Sequence, residues 1–173
     1  MFDQALDWRE ATDGSFTPMR PDGVIDLSGI VKALAIAEAA DILDADGPDW
    51  CINAGGDVLV SGVQLDGRPW VVGIVDPDDR TALLSQFTSR GGRHAVATSG
   101  VAERGEHVWR TGADATFGQV TVAADDIVTA DVLATAILAG GPDALERCQD
   151  RWSIEVLACA VDGRLWASPV FRA

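Results

Sequence analysis

The run from Thr129 to Gly141, reading TADVLATAILAGG, narrows the possible folds of this chain more than any other. It is rich in alanine and leucine at helical spacing, so it predicts a helix that must be packed inside a core. Asp131 and Thr135 lie four residues apart and fall one turn above each other on one helix face. That face is otherwise alanine and leucine, where a carboxylate without a partner is costly. A hard cation such as Mg²⁺ accepts carboxylate, hydroxyl and carbonyl oxygens and would relieve that cost. A plainer alternative has Thr129 as the N-cap, with Asp131 in the first turn, where the helix dipole favours a negative charge. On this segment alone both readings stay open.

At 173 residues, 47% of them apolar and 18 of them glycine, the chain predicts one globular, turn-rich domain over 1–173 with a sizeable core. The charge is lopsided, with 27 acids against 13 bases and a formal net charge of -14. Phosphate contacts need lysine and arginine, so nucleic acid and anionic membranes are excluded as partners. Lys32 is the one lysine of the chain. Cys51, Cys148 and Cys159 are too scattered for a metal cluster or a disulfide framework, and the runs around Cys51 and Cys159 predict buried thiols. No apolar stretch reaches the length of a membrane span. The opening residues carry neither a basic nor an apolar leader pattern, which predicts a cytoplasmic protein.

Along the chain, Phe2 and Leu6 suggest a short helix leading to a turn at Thr12–Ser15. A long helix follows from Ser28, acting as its cap, to about Ala45, apolar nearly all round and therefore expected to be buried. Gly47–Pro48 ends it. Strands are predicted at Asp49–Ala54, Asp57–Ser61 and Trp70–Val75, the last pairing back across a turn at Leu65–Pro69. Leu83–Arg90 is ambiguous between strand and short helix. Further strands are expected at Ala95–Ser99, His107–Arg110 and Gln119–Ala124. Helices over Thr129–Ala139 and Pro142–Arg151 precede a hairpin of Ile154–Val161 with Arg164–Ser168. The order reads as α+β, a mostly antiparallel sheet with a long buried helix and a second helix that carries the candidate metal site.

Several short segments carry chemistry-bearing residues. Asp26-Leu-Ser-Gly-Ile-Val-Lys32 opens the long helix, and the Lys32 ammonium, one turn into apolar surroundings, needs either an acid such as Asp26 or a bound anion. Asn53-Ala-Gly-Gly-Asp57 separates two strands; Gly55 and Gly56 form either a bulge or a place where backbone amides approach a phosphate. Ala97-Thr98-Ser99-Gly100 ends a strand with two hydroxyls that a ligand or a turn could use. Downstream, Glu103 and His107 are candidate general bases, and Trp109 could stack on an aromatic ring or fill a core.

Taken in order, the segments Thr12–Phe16, Asp26–Lys32, Asn53–Asp57, Trp70–Pro77, Ala97–Gly100 and Ala130–Thr135 resemble the ApbE-type FAD:protein FMN transferases. The likeness is collinear over residues 12–141. It implies FAD as substrate, Mg²⁺ as cofactor, and transfer of FMN to a serine or threonine of a flavin-accepting protein. It further implies that Asp131, Thr135 and the Gly29 carbonyl are metal ligands, and that Asp26, Lys32, Gly55, Gly56, Thr98 and Trp109 face the flavin nucleotide. Asp131, Thr135 and His107 then form the catalytic set. Members of the family are longer, often exported, and carry an N-terminal segment over the flavin; the resemblance leaves that segment unmatched here, so a short member is expected, and with it a homo-oligomer whose neighbour shields the flavin. Two other activities fit the same residues: a flavin- or nucleotide-binding module or partner subunit without chemistry, and hydrolysis of FAD to FMN and AMP.

Overall fold

A computed structural model describes residues 1–100 and 116–172. Its centre is a six-stranded antiparallel sheet in the order β1-β2-β5-β6-β7-β8, formed by Trp50–Ala54, Asp57–Ser61, His94–Gly100, Phe117–Ala124, Glu155–Ala160 and Leu165–Ala167. The remaining strands, β3 (Val71–Val75) and β4 (Leu83–Thr88), form a separate two-stranded ribbon. Three helices are described: α1 (Phe2–Ala11), α2 (Ser28–Asp46) and α3 (Ile127–Arg151). The predicted α+β class and antiparallel sheet hold.

Alternation along the strands separates two layers. Leu59, Ala95, Ala97, Val120, Val122, Val156 and their neighbours pack under the helices, together with Ile127, Leu133 and Ile137 of α3. The opposite parity, Val96, Ala123 and Leu157, meets Ile74 and Phe87 of the ribbon and Phe171 of a closing 3₁₀ turn at Pro169–Phe171. A third cluster, Phe16, Ile30, Val132 and Ala136 with Ala5, joins α1, α2 and α3.

Several local expectations need correction. Trp70–Val75 does not pair back on Asp57–Ser61 but on Leu83–Thr88, which is thereby a strand. The 62–69 segment is a loop pinned at its far end. The Trp70 indole donates to the Ser61 carbonyl at 2.9 Å, and Trp70 and Ser89 exchange two bonds across the ribbon. The long helix α2 is not buried all round. Ile30, Ala33, Ile36 and Ala40 face the core while Val31 and Ile42 are exposed, the latter by 70%. Composition set its hydrophobicity, but α3 and the β1 edge of the sheet cover only one side of the cylinder. Cys51 is exposed because it alternates away from the core between Trp50 and Ile52; Cys148 and Cys159 are buried.

The two helices expected at 129–139 and 142–151 run on as α3, broken at Gly141 (φ 67°, ψ -154°) just before Pro142. A left-handed φ suits glycine, and the proline cannot continue the preceding hydrogen-bond ladder. Contrary to expectation, α3 is long and apolar enough to cross a membrane by length and composition alone. It is the central core helix, and 61% of its apolar window is buried inside the protein.

Candidate functional site

The start of α3 decides how Asp131 is to be read. Asp126, not Thr129, is the N-cap, its carboxylate accepting the Thr129 amide at 2.8 Å. The helix therefore begins two residues before Thr129, and Asp131 falls beyond the first turn, where no acid is found. Neither capping nor the dipole accounts for a carboxylate there. Asp131 is nonetheless 0% exposed, flanked on α3 by the buried Ala130, Val132 and Ala134. Thr135 follows one turn later, and its hydroxyl lies 3.0 Å from that of Ser99 on β5.

Ser99 and Thr98 do not present two hydroxyls together. Alternation turns Ser99, with Ala95 and Ala97, toward α3, and Thr98 to the other face, where its hydroxyl pairs with Thr121 at 2.8 Å. What Thr98 offers the helix side is its backbone amide, which donates to Asp57 Oδ1 at 3.2 Å. Asp57, 1% exposed, begins β2 on the same face as Leu59 and forms an ion pair with Lys32 of α2. Asp26 is not the partner of Lys32: its carboxylate accepts the Ser28 amide at 2.9 Å and organises the entry into α2, whose cap position is Leu27 rather than Ser28. Adjacent residues of one strand thus tie both halves of the site, Thr98 through its amide to the Lys32–Asp57 pair and Ser99 through its hydroxyl to the Asp131–Thr135 helix.

Gly29 stands in the first turn of α2, tight against Phe16; a Cβ there would come within 3.2 Å of the ring. Gly55 and Gly56 make the two-residue turn between β1 and β2, with φ of 62° and 94°, and Asn53 accepts the Gly56 amide at 3.2 Å. Two successive positive φ values mark a tight hairpin, not a bulge. Its glycines are exposed and a Cβ on either would meet nothing within 4 Å. Glu103, His107 and Trp109 lie outside the described residues.

Asp57 is a buried acid whose pairing with Lys32 the sequence did not reveal, and Ser99, whose hydroxyl the sequence offered to a ligand or a turn, meets Thr135. The signal was period two: Asp57 has the parity of Leu59, and Ser99 that of Ala95 and Ala97, so both were bound to point inward.

Among the described residues no three His, Cys, Asp or Glu side chains gather as a metal cluster. A cation here would rest on one buried carboxylate, on hydroxyls and on carbonyls. Such an all-oxygen set suits Mg²⁺ and disfavours softer metals that prefer nitrogen or sulfur.

Comparison with known proteins adds a family. Residues 2–158 match the model of the ApbE family. The FAD:protein FMN transferase of Klebsiella pneumoniae (strain 342) is 27% identical over 168 residues, covering 88% of this chain and 48% of that protein. The protein of the same name from Vibrio cholerae serotype O1 is 30% identical over 140 residues, 71% of this chain and 40% of that one. The solved ApbE protein of Thermotoga maritima aligns with a TM-score of 0.77 at 23% identity, over 96% of this chain and 74% of that chain. The flavin transferase ApbE from Vibrio cholerae gives 0.78 at 22% identity, over 99% and 74%. These structural likenesses show the fold. The chain spans about half the length of the curated relatives it matches.

Proposed function

Because the chain belongs to the ApbE family, we propose that it transfers the FMN moiety of FAD to a serine or threonine hydroxyl of a partner protein, with Mg²⁺ as cofactor. The observation that supports this best is Asp131, a fully buried carboxylate past the helix cap with Thr135 one turn on. Asp131, Thr135 and the Gly29 carbonyl would hold the Mg²⁺, which when bound neutralises pyrophosphate charge and polarises its phosphoryl oxygens.

The reaction needs the acceptor oxygen to bond the FMN-side phosphorus while the bond to the bridging oxygen breaks. AMP leaves, and the hydroxyl proton passes to a base. Lys32 brings a point charge toward the phosphates, useful where negative charge builds on the bridging oxygen. The hydroxyl contact from Ser99 fixes the Thr135 side chain, so that its lone pairs need no reorganisation on binding. The apolar wall of Ala130, Val132, Ala134 and Ala136 lowers the local dielectric and strengthens each of these interactions.

The test is a fluorescence titration of FAD into metal-stripped protein, with and without Mg²⁺, beside Asp131→Ala. Saturable binding that needs Mg²⁺ and vanishes with the substitution is expected. AMP release that requires an acceptor protein then identifies transfer, whereas equal release without acceptor would identify hydrolysis instead. Absence of FAD binding under every condition would refute the proposal.

A further inference from the structure

We propose that Asp57 is a positioning residue for anion binding, acting through Lys32. The inference rests on the flavin-transferase reading for its ligand, a pyrophosphate, but not for its geometry. Asp57 is 1% exposed and Lys32 33%, so the carboxylate is sealed in the core while the ammonium keeps a solvent-facing side. An ammonium has three donors, and one is taken by Asp57. Among the described residues the other two meet no acceptor, which leaves them for an anion arriving from solvent.

The carboxylate is itself held. Its Oδ1 accepts the Thr98 amide, and its backbone starts β2 immediately after the Gly55–Gly56 turn. A flexible four-carbon stem is thereby fixed at its tip to the sheet, one strand residue away from the Ser99–Thr135 contact. Holding α2 on the sheet would not require this arrangement, since well-packed apolar residues of similar volume generally serve as well as a buried ion pair. What an apolar pair cannot do is present a located positive charge.

Three properties follow. Asp57→Asn keeps the acceptor for the Thr98 amide and the side-chain volume but loses the charge that places Lys32. It is expected to weaken binding of FAD, and of inorganic pyrophosphate, about 10-fold, the size of one lost charge-assisted contact. Adding Lys32→Met to Asp57→Asn should then weaken binding by less than about twofold, because the lysine has already lost its place. The melting response to Mg²⁺ should be the same in Asp57→Asn as in the parent protein.

The experiment is this comparison, with FAD and pyrophosphate each titrated into parent, Asp57→Asn and the double variant. It does not need Lys32→Met alone, which leaves a buried unpaired carboxylate and is prone to unfold. Unchanged affinity in Asp57→Asn would overturn the proposal. So would a further tenfold loss in the double variant, since Lys32 would then work without Asp57. A changed Mg²⁺ response in Asp57→Asn would mark a merely structural role and overturn it as well. If the parent binds pyrophosphate with this coupling but not FAD, the positioning role stands and the flavin reading falls. If it binds FAD without coupling, the reverse holds. Binding of neither refutes both.

Discussion

The two faces of the central sheet are built from the same strands yet hold different kinds of core. The ribbon-covered face buries Ile74, Phe87, Val96, Ala123, Leu157 and Phe171 around neutral groups only, and its Thr98 and Thr121 hydroxyls satisfy each other. The helix-covered face buries Asp57, Ser99 and Asp131 among its hydrophobic residues. Carboxylates inside a core oppose stability unless a charge, a set of hydrogen bonds or a cation compensates them. One face is therefore built for holding the fold together, and the other gives up some stability to hold charges in place.

Substitutions on the two faces should separate stability from binding. The largest effect belongs to the ribbon face: Phe87→Ala should lower unfolding free energy by about 3–5 kcal/mol through the cavity it leaves. Under the proposed function, a folded Phe87→Ala protein should bind FAD with Mg²⁺ as the parent does, which denaturant melts and flavin titration check together. Next, Asp131→Ala should reduce apparent Mg²⁺ affinity by on the order of 100-fold, about 2.7 kcal/mol, measured through FAD binding at varied Mg²⁺. Ser99→Ala should cost about 1 kcal/mol of stability and a smaller loss of Mg²⁺ affinity, because it removes a neighbour of Thr135 and not a ligand. If Ser99→Ala weakened Mg²⁺ as much as Asp131→Ala, the assignment of the two residues would have to be exchanged.

The smallest effect should not distinguish the faces. Burial pushes the thiol of Cys148, on the inner side of α3, up to about 11. It does the same to Cys159 on the ribbon side, where the Asp76 and Asp78 carboxylates add to it. A thiol raised in the folded state contributes stability that is fully present below its ordinary value near 9 and is lost as pH rises through 11. Denaturant midpoints should accordingly fall between pH 9 and 11. At pH 8 alkylation of the native protein should modify Cys51 and spare the other two. Rapid labelling of Cys148 with Cys159 still protected would show that the helix layer opens independently of the sheet.

The helix that carries Asp131 and Thr135 is legible in the sequence. The i, i+4 spacing of Asp131 and Thr135 fixed them to one helix face, and the TADVLAT run could only be a core helix. Strand identities were legible from alternation, as in Phe117–Ala124 and Glu155–Ala160. Partners were not. Lys32 had several acids in flagged segments to choose from, and Asp26 was the nearest of them along the chain. The choice of Asp57 needed the start of β2 to come within reach of the Lys32 side chain on α2. Similarly Trp70–Val75 read correctly as a strand, while its partner depended on where a loop of several residues delivered it.

Sequence by itself determined what is periodic and local: the helices, the glycine turns with positive φ, the parity that sends Asp57 and Ser99 inward, and the family. These depend on the backbone geometry of neighbouring residues, which the chain carries with it. Only the tertiary structure decided that Asp126 rather than Thr129 caps α3, that α2 keeps one apolar side in solvent, and that Thr98 and Ser99 link the ion pair to the helix of Asp131. Those outcomes depend on which distant surfaces compete for the same neighbour, and the winner is set by packing the whole core at once.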